Sequence, residues 1–177
     1  MAVKLMDSLP QIINFIEKER MHMLISSLLK EELMIMDMDI SNKAEAIYKL
    51  VSLLYDKKII NSREAFIEVV NKREEEFSTG IGFGIAFPHG KSNIVKMPAI
   101  VFGKNNKPIE YGSIDKQPVT IFFLIAVPEN ANEQHLRIIS SLARKLMNEE
   151  IREGLDQVKT SKEVLDILNE EEYICRN

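Results

Sequence analysis

The chain has 177 residues, of which 45% are hydrophobic and 28% charged, and a formal net charge of −4. These values are typical of a globular protein with one domain and a sizeable core. The negative charge and the lack of a basic tract exclude a nucleic-acid footprint and a basic membrane-binding surface. We therefore expect no nucleic-acid partner and no direct insertion into a membrane.

Three further features of the sequence predict a cytoplasmic protein. Cys175 is the only cysteine, so neither a disulfide framework nor a cysteine metal site can be built. The first residues, "MAVKLMDSLPQII", lack the apolar region and the cleavage site of a signal peptide. No uncharged apolar run reaches the length of a membrane-spanning helix.

The N-terminal part of the chain is predicted to be helical. Ser8 and Pro10 favour a helix start, and apolar residues at helical spacing predict a helix or a helix pair over 9–30. Its apolar face is too rich to stay solvated, so we expect it to dock on the domain or to pair with another chain. A short strand is predicted at 33–37.

Capping patterns predict the next two helices. Ser41 is the expected N-cap of a helix that ends near Tyr55. Asn61 and Glu64 fit a capping box that opens a helix ending near Glu75. The apolar face of the first of these helices is predicted to consist of Ala44, Ile47, Leu50, Val51 and Leu54.

The middle of the chain is predicted to hold turns and strands. The three glycines before Pro88 in "FSTGIGFGIAFPHG" favour turns and close backbone approach. The runs "PAIVFGK" (98–104) and "PVTIFFLIAV" (118–127) are rich in β-branched and aromatic residues, which predicts strands. The second run is apolar almost throughout, as in a central strand buried on both faces, and Pro128 ends it.

Helices are predicted on both sides of this strand-rich middle. Asn130 and Glu133 fit a capping box before the amphipathic "HLRIISSLARKLM", and a last helix is predicted over 160–171. The fold class is therefore α/β (α+β): one domain in which a mixed β-sheet is flanked by helices. The single internal boundary suggested by the sequence separates an N-terminal helical extension (1–30) from the main domain (31–174).

His89 is the first candidate for chemistry. It lies between Pro88 and Gly90, directly after the strand-like run "GIAF". A lone histidine in a turn is usually without a function, but ligands of α/β folds bind just beyond strand ends. Gly90 lets backbone amide groups approach a bound group, and a neutral imidazole is a good nucleophile near neutral pH.

Two other charged or titratable side chains can support such a site. His135 lies in the early turns of a predicted helix, where free amide groups and the helix dipole favour an anion; a partly buried histidine bonded to a neighbour is the alternative. Arg73 stands in "NKREEE", which is usually a solvated helix face, although a guanidinium beside a histidine suits a phosphate dianion. His22 is predicted to be a helix-face residue without chemistry.

The sequence predicts neither a metal nor a cofactor. Two histidines with scattered carboxylates could bind zinc, but no ligand pair at i, i+3 or i, i+4 stands out as a metal site. The segment "GIGFGIAFPHGKS" lacks the first glycine of a Walker loop at the required spacing. A dinucleotide-binding Gly-x-Gly-x-x-Gly motif is excluded too, because the glycines alternate and no helix is predicted to follow them.

The stretch from Arg73 through "STGIGFGIAFPHG", followed by "AVPENANEQHL", resembles the EIIA domain of the mannitol/fructose type in the bacterial phosphotransferase system. The fructose branch is the more similar one, and the nitrogen-regulatory EIIA is related. The resemblance covers residues 31–172, and its specific core is Gly-x-x-Ile-Ala-x-Pro-His-Gly. The chain departs from the family at Phe87, where an aliphatic residue is usual.

The resemblance implies a role for each site residue. His89 matches the phosphorylated histidine of the family, His135 the second histidine that assists at the site, and Arg73 the site arginine. Thr79 matches a family threonine ten residues before the phosphorylated histidine. Thr79 and Gly90 are therefore expected to support the phosphate.

The resemblance also implies the partners. His89 would accept a phosphoryl group from phospho-HPr and pass it to a cysteine of an EIIB protein or domain, with an indirect link to a membrane EIIC. Approach of HPr requires an open site around His89, and we expect the apolar rim of this site to include Ile85, Phe87 and Ile94. The alternatives are a regulatory EIIA of the nitrogen-related kind, whose phosphorylation state controls protein partners, and a domain of a sugar-operon regulator.

Overall fold

The computed structural model describes residues 25–169. The helix predicted over 9–30 lies outside these residues except for a helical segment at 25–28, and His22 and Cys175 lie outside them as well. The order of the elements that follow is β1 (Leu29–Met38), α1 (Lys43–Asp56), α2 (Arg63–Glu76), β2 (Gly80–Gly82), β3 (Ile85–Ala86), β4 (His89–Ser92), β5 (Ala99–Ile109), β6 (Val119–Pro128), α3 (Asn132–Leu146), α4 (Glu149–Gln157) and α5 (Ser161–Asn169).

The six strands form one mixed sheet. Their order is β1-β5-β6-β3-β2, and β4 also pairs with β6. Strand β5 runs antiparallel to β6, whereas β3 and β4 run parallel to it. Strand β6 is buried along nearly its whole length, as the apolar run at 118–127 predicts. The mixed sheet with flanking helices predicted from the sequence is confirmed.

Helices cover both faces of the sheet because successive side chains of a strand point to opposite faces. Phe122 and Leu124 of β6 pack in a cluster with buried side chains of α1 and α2. Phe123 and Ile125 pack on the other face, with the segment 25–28 and with α3, α4 and α5. Strand β1 begins at Leu29, on the N-terminal side of the boundary predicted at residue 30.

The caps of α1 and α2 each lie one residue further along the chain than predicted. Asn42, not Ser41, is the N-cap of α1: its backbone is extended, and its side chain accepts the Glu45 N–H at 3.0 Å. Ser62, not Asn61, is the N-cap of α2, where its hydroxyl accepts an amide N–H three residues on. In both pairs two good capping residues are adjacent, so local pattern alone does not choose between them.

Three other details also differ from the sequence-based predictions. Ala44 is exposed, and Ala46 takes its predicted place on the buried face of α1. Helix α3 begins after Ala131 with no side-chain cap bond, so the capping box predicted for Asn130 and Glu133 is not formed. Helix α4 and the short strands β2 and β4 have no counterpart among the predicted elements.

Phe123 tests how far stability depends on β6. Its fully buried ring makes edge-on contacts with Phe87 and Phe102, at centroid distances of 5.8 and 5.3 Å. Phe123→Ala should lower the free energy of unfolding by about 3–5 kcal/mol, because it leaves a cavity between these rings. Urea denaturation measures the loss. The control is Phe77→Ala, at a ring that is 67% exposed, which should change stability by less than about 0.5 kcal/mol; equal losses would contradict the central role of β6.

Candidate functional site

His89 begins β4 and is paired with Ile125 of β6 in a parallel ladder. The sequence predicts a turn at this position, and the structure has a four-residue strand instead. The ladder continues across the preceding residue, because the Pro88 carbonyl accepts the Ile125 N–H at 2.9 Å. The His89 side chain is therefore fixed to the central strand, and only 8% of the residue is exposed.

Two hydrogen bonds define the protonation state of the His89 ring. Nδ1 lies 2.8 Å from the Phe87 carbonyl oxygen, which can only accept, so Nδ1 carries the proton. Nε2 accepts the Nε–H of Arg73 at 3.0 Å, so Nε2 keeps its lone pair. Burial lowers the pKa of His89, and the Arg73 charge lowers it further, although the Phe87 carbonyl opposes both. The ring is therefore neutral at neutral pH.

Arg73 lies in the last turn of α2 and connects that helix end to His89. Its Nη1 donates to the Phe77 carbonyl at 2.9 Å, while its Nε donates to the His89 ring. A cation is favoured at a helix C-terminus by the helix dipole and the free carbonyl groups. The helix end thus holds the guanidinium beside the ring nitrogen that keeps its lone pair.

His135 faces His89 from the first turn of α3. Its backbone N–H donates to Ala131 at 3.0 Å, and its ring centroid lies 5.2 Å from that of His89. Burial lowers the pKa of His135 to about 4, helped by His89 and by the charges of Lys91 and Arg73. Its buried Nε2 makes no hydrogen bond within residues 25–169. A buried polar atom of this kind usually has a partner, so the site offers a place for a bound polar group.

The structure gives Gly90 and Thr79 contacts of their own. A Cβ at Gly90 would lie 3.0 Å from both Phe66 and Val69, so glycine lets β4 pack closely on α2. The Thr79 hydroxyl is buried and donates to Glu74. The backbone carbonyl of Thr79 accepts the Phe87 N–H at 2.9 Å. Support of a phosphate by these two residues stays a prediction.

The predicted apolar rim is wrong in two of its three members. Ile85 and Phe87 are 1% and 3% exposed and lie in the core under α3 to α5, because both point to that face of the sheet. Ile94 is half-buried. The exposed apolar side chains beside the site residues are instead Leu136, which follows His135, and Phe77, whose carbonyl binds Arg73.

Sequence reasoning missed a buried polar cluster below the site. Glu74 accepts hydrogen bonds from Thr79 and from the Tyr111 hydroxyl, and it forms an ion pair with Lys43 at 3.1 Å. The charged run around Glu74 predicts a solvent-exposed helix face, and the burial of Glu74 contradicts this prediction. The signal that could have found it is helical spacing, since Phe66, Val70 and Glu74 recur every four residues and are the buried positions of α2.

Within residues 25–169, no three His, Cys, Asp or Glu side chains converge as metal ligands. None of the helices there combines the length and the apolar character that crossing a membrane requires. A surface pocket of about 510 Å³ lies near the start of β6, roughly 13 Å along the strand from the partner of His89. It is lined by Phe83, Ile85, Thr120, Ile121, Arg152, Glu153, Asp156 and Gln157.

Known proteins resemble this chain over most of its length. Residues 27–171 match the family model described as "Phosphoenolpyruvate-dependent sugar phosphotransferase system, EIIA 2". The fructose-specific EIIABC component of Bacillus subtilis is 38% identical over 148 residues, which are 84% of this chain and 23% of that relative. The fructose-specific EIIA component of Haloferax volcanii is 35% identical over 146 residues, 82% of this chain and 95% of that relative.

A solved structure shows the same relationship. The nitrogen regulatory protein IIA-Ntr of Neisseria meningitidis superposes with a TM-score of 0.77 at 34% identity, over 82% of this chain and 99% of that one. The chain therefore belongs to the EIIA type 2 family of the phosphoenolpyruvate-dependent sugar phosphotransferase system. This confirms the resemblance indicated by the segment around His89.

The environment of His135 leads to a prediction for its titration. Its imidazole signals in an NMR pH titration should have a midpoint of about 4, because burial and neighbouring positive charge both oppose protonation. Lys91→Gln should raise this midpoint, since it removes one of the positive charges. Lys96→Gln, at an exposed lysine that is not among the causes of the shift, is the control. A midpoint near 6.5 would show that the ring is solvated.

Proposed function

We propose that His89 carries a phosphoryl group, which it takes from phospho-HPr and passes to a cysteine of an EIIB protein or domain. The protein would act in the cytoplasm as part of the uptake of a fructose- or mannitol-type sugar, linked to a membrane EIIC through EIIB. The observation that carries the proposal is the His89 ring, in which Nε2 keeps its lone pair beside a guanidinium. The two fructose-specific relatives support the class of sugar.

The protonation state of His89 defines the transfer step. Nε2 attacks the phosphorus of phospho-HPr, and the bond from phosphorus to the donor nitrogen breaks with its electron pair left on the HPr imidazole. The proton stays on Nδ1 and remains hydrogen-bonded to the Phe87 carbonyl, so the phosphorylated ring becomes cationic. A cationic imidazole is a better leaving group than a neutral one, which prepares the group for a thiolate of EIIB.

Three groups of the site can stabilise the phosphoryl charge, which is about −2 at neutral pH. The Arg73 guanidinium has N–H groups besides the two that bind His89 and Phe77. His135 presents a ring nitrogen without a partner in the described chain. The first amide groups of α3, which no side chain caps, favour an anion at that helix end.

A regulatory role is the second candidate. The 34% identity to a nitrogen regulatory IIA-Ntr, over 99% of that chain, favours it. The two candidates differ in what happens after His89 is phosphorylated. The test is to label the protein from phospho-HPr, remove the donor and add a fructose-type EIIB. Label that moves to the EIIB cysteine supports transport, and label that stays on His89 supports regulation.

His89→Ala should abolish labelling from phospho-HPr, because it removes the ring nitrogen beside Arg73 that would attack phosphorus. The wild-type label should be lost in acid and kept in base, as expected for a phosphoramidate. Far-UV circular dichroism checks that the variant is folded, and His22→Ala is a control at a histidine outside the family match. Labelling of His89→Ala at the wild-type level, or an acid-stable label, would remove His89 from the mechanism.

Arg73→Ala and His135→Ala should slow labelling without abolishing it, because neither residue is the nucleophile. Loss of one charge-stabilising group costs roughly 100-fold in rate for Arg73, and we expect a smaller loss for His135. Onward transfer to EIIB should slow at least as much, since charge also develops at phosphorus in that step. The control is Arg63→Ala on the same helix, whose guanidinium binds the exposed Glu64. Rapid-quench kinetics measures both steps, and equal rates for Arg73→Ala and Arg63→Ala would contradict the assignment.

A further inference from the structure

Glu74 is a buried carboxylate that the transfer step does not use. It directly follows Arg73 in the last turn of α2, but its side chain points into the protein and is 5% exposed. A charged group is rarely buried unless it is paired and hydrogen-bonded. The positions of its partners show what it holds in place.

A continuous series of hydrogen bonds connects Glu74 to the His89 ring. Glu74 accepts the backbone N–H of Thr79 at 3.2 Å and also the Thr79 hydroxyl. The Thr79 carbonyl accepts the Phe87 N–H at 2.9 Å. The Phe87 carbonyl, in turn, accepts the Nδ1–H of His89 at 2.8 Å. The backbone of Thr79 and the backbone of Phe87 therefore link the carboxylate to the hydrogen bond that sets the tautomer of His89.

The carboxylate is itself held from the opposite side. The Tyr111 hydroxyl donates to Oε1 at 3.0 Å, and the Lys43 ammonium donates to Oε2 at 3.1 Å. Lys43 also lies 4.3 Å from the centre of the Tyr111 ring. Burial raises the pKa of Tyr111, so its hydroxyl stays protonated and remains a donor. With donors from α1, from the residue that precedes β2 and from the loop after β5, the carboxylate has little freedom to move.

We infer that Glu74 is a positioning residue for His89: by anchoring Thr79 it fixes the Phe87 carbonyl, and so keeps the proton on Nδ1 and the lone pair on Nε2. Two consecutive residues of α2 then control the two ring nitrogens, Arg73 at Nε2 and Glu74 through the backbone at Nδ1. The effect on transfer rests on the proposed phosphocarrier function. The effect on the tautomer does not.

The test compares Glu74→Ala with Glu74→Gln. Imidazole ¹⁵N NMR reports which ring nitrogen of His89 is protonated, and rapid-quench kinetics with phospho-HPr reports the transfer rate. Glu74→Ala should increase the fraction of the Nε2–H form and lower kcat by roughly tenfold, with KM changed by less than about twofold, because only the position of the nucleophile is affected. Glu74→Gln keeps a side-chain oxygen that can accept hydrogen bonds from Thr79 and Tyr111. It should therefore keep most of the wild-type tautomer and transfer rate.

The control variant is Glu75→Ala, which removes the same charge from the exposed neighbouring position of α2. If Glu74→Ala does not fold, Tyr111→Phe decides: it removes only one donor to the carboxylate and should change the tautomer and rate in the same direction, to a smaller extent. A folded variant of Glu74 or Tyr111 with the tautomer and rate of Glu75→Ala would overturn the inference. A wild-type protein that shows the Nδ1–H form but takes no phosphoryl group would instead contradict the proposed function alone.

Discussion

The pairing of two short strands with β6 determines where every group of the site lies. Strands β3 and β4 follow one parallel path along β6, and Phe87 and Pro88 connect them. The Pro88 carbonyl accepts the Ile125 N–H of β6, although proline has no N–H to donate to the ladder, and the Phe87 N–H donates to the Thr79 carbonyl. The Phe87 carbonyl accepts the Nδ1–H of His89. The tautomer of His89 therefore follows from the segment that connects the two strands, which is fixed to the centre of the sheet.

The site combines two neutral imidazoles with one guanidinium. Burial lowers the pKa of both His89 and His135, so neither ring adds a positive charge at neutral pH. Arg73 is thus the one cation with a hydrogen bond to the His89 ring among the described residues. A phosphoryl dianion would be only partly neutralised in this setting. Partial neutralisation would suit the proposed carrier role, because a site that fully balanced the charge would hold the group too tightly to pass it on.

Residue composition and spacing predicted the long elements, whose formation depends mainly on neighbouring residues in the chain. The continuous apolar run at 118–127 identified the central strand, and capping patterns together with the helical spacing of apolar residues in α1 and α3 identified α1, α2 and α3. The turn-rich segment around His89 was harder, because β2, β3 and β4 have two to four residues each and exist only through pairing with neighbouring strands. Helix α4 is short, and its two buried side chains gave too weak a periodic signal.

The candidate site shows the same division. The motif around His89 indicated the proposed nucleophile, and Arg73 and His135 were candidates from their residue types, to which the family resemblance added expected roles. The burial of Glu74 could not be predicted in the same way, because its partners Lys43 and Tyr111 lie 31 and 37 positions away in the chain. A charged residue within a charged run is expected to face solvent. Its burial becomes evident only when the tertiary structure shows the opposite charge and the hydrogen-bond donors around it.

The hydrogen bond from Arg73 Nε to His89 Nε2 occupies the lone pair that the phosphorus needs. In the proposed transfer, attack therefore requires the guanidinium to turn away from the ring nitrogen. Once the N–P bond has formed, the same N–H can donate to a phosphoryl oxygen, which lies two bonds beyond Nε2. The arginine then exchanges one hydrogen bond for another, and the second donor bond, to the Phe77 carbonyl, can remain. The guanidinium has a partner in both states, but its bond to a charged phosphoryl oxygen is stronger than its bond to the neutral ring, so Arg73 favours acceptance of the group in the proposed transfer.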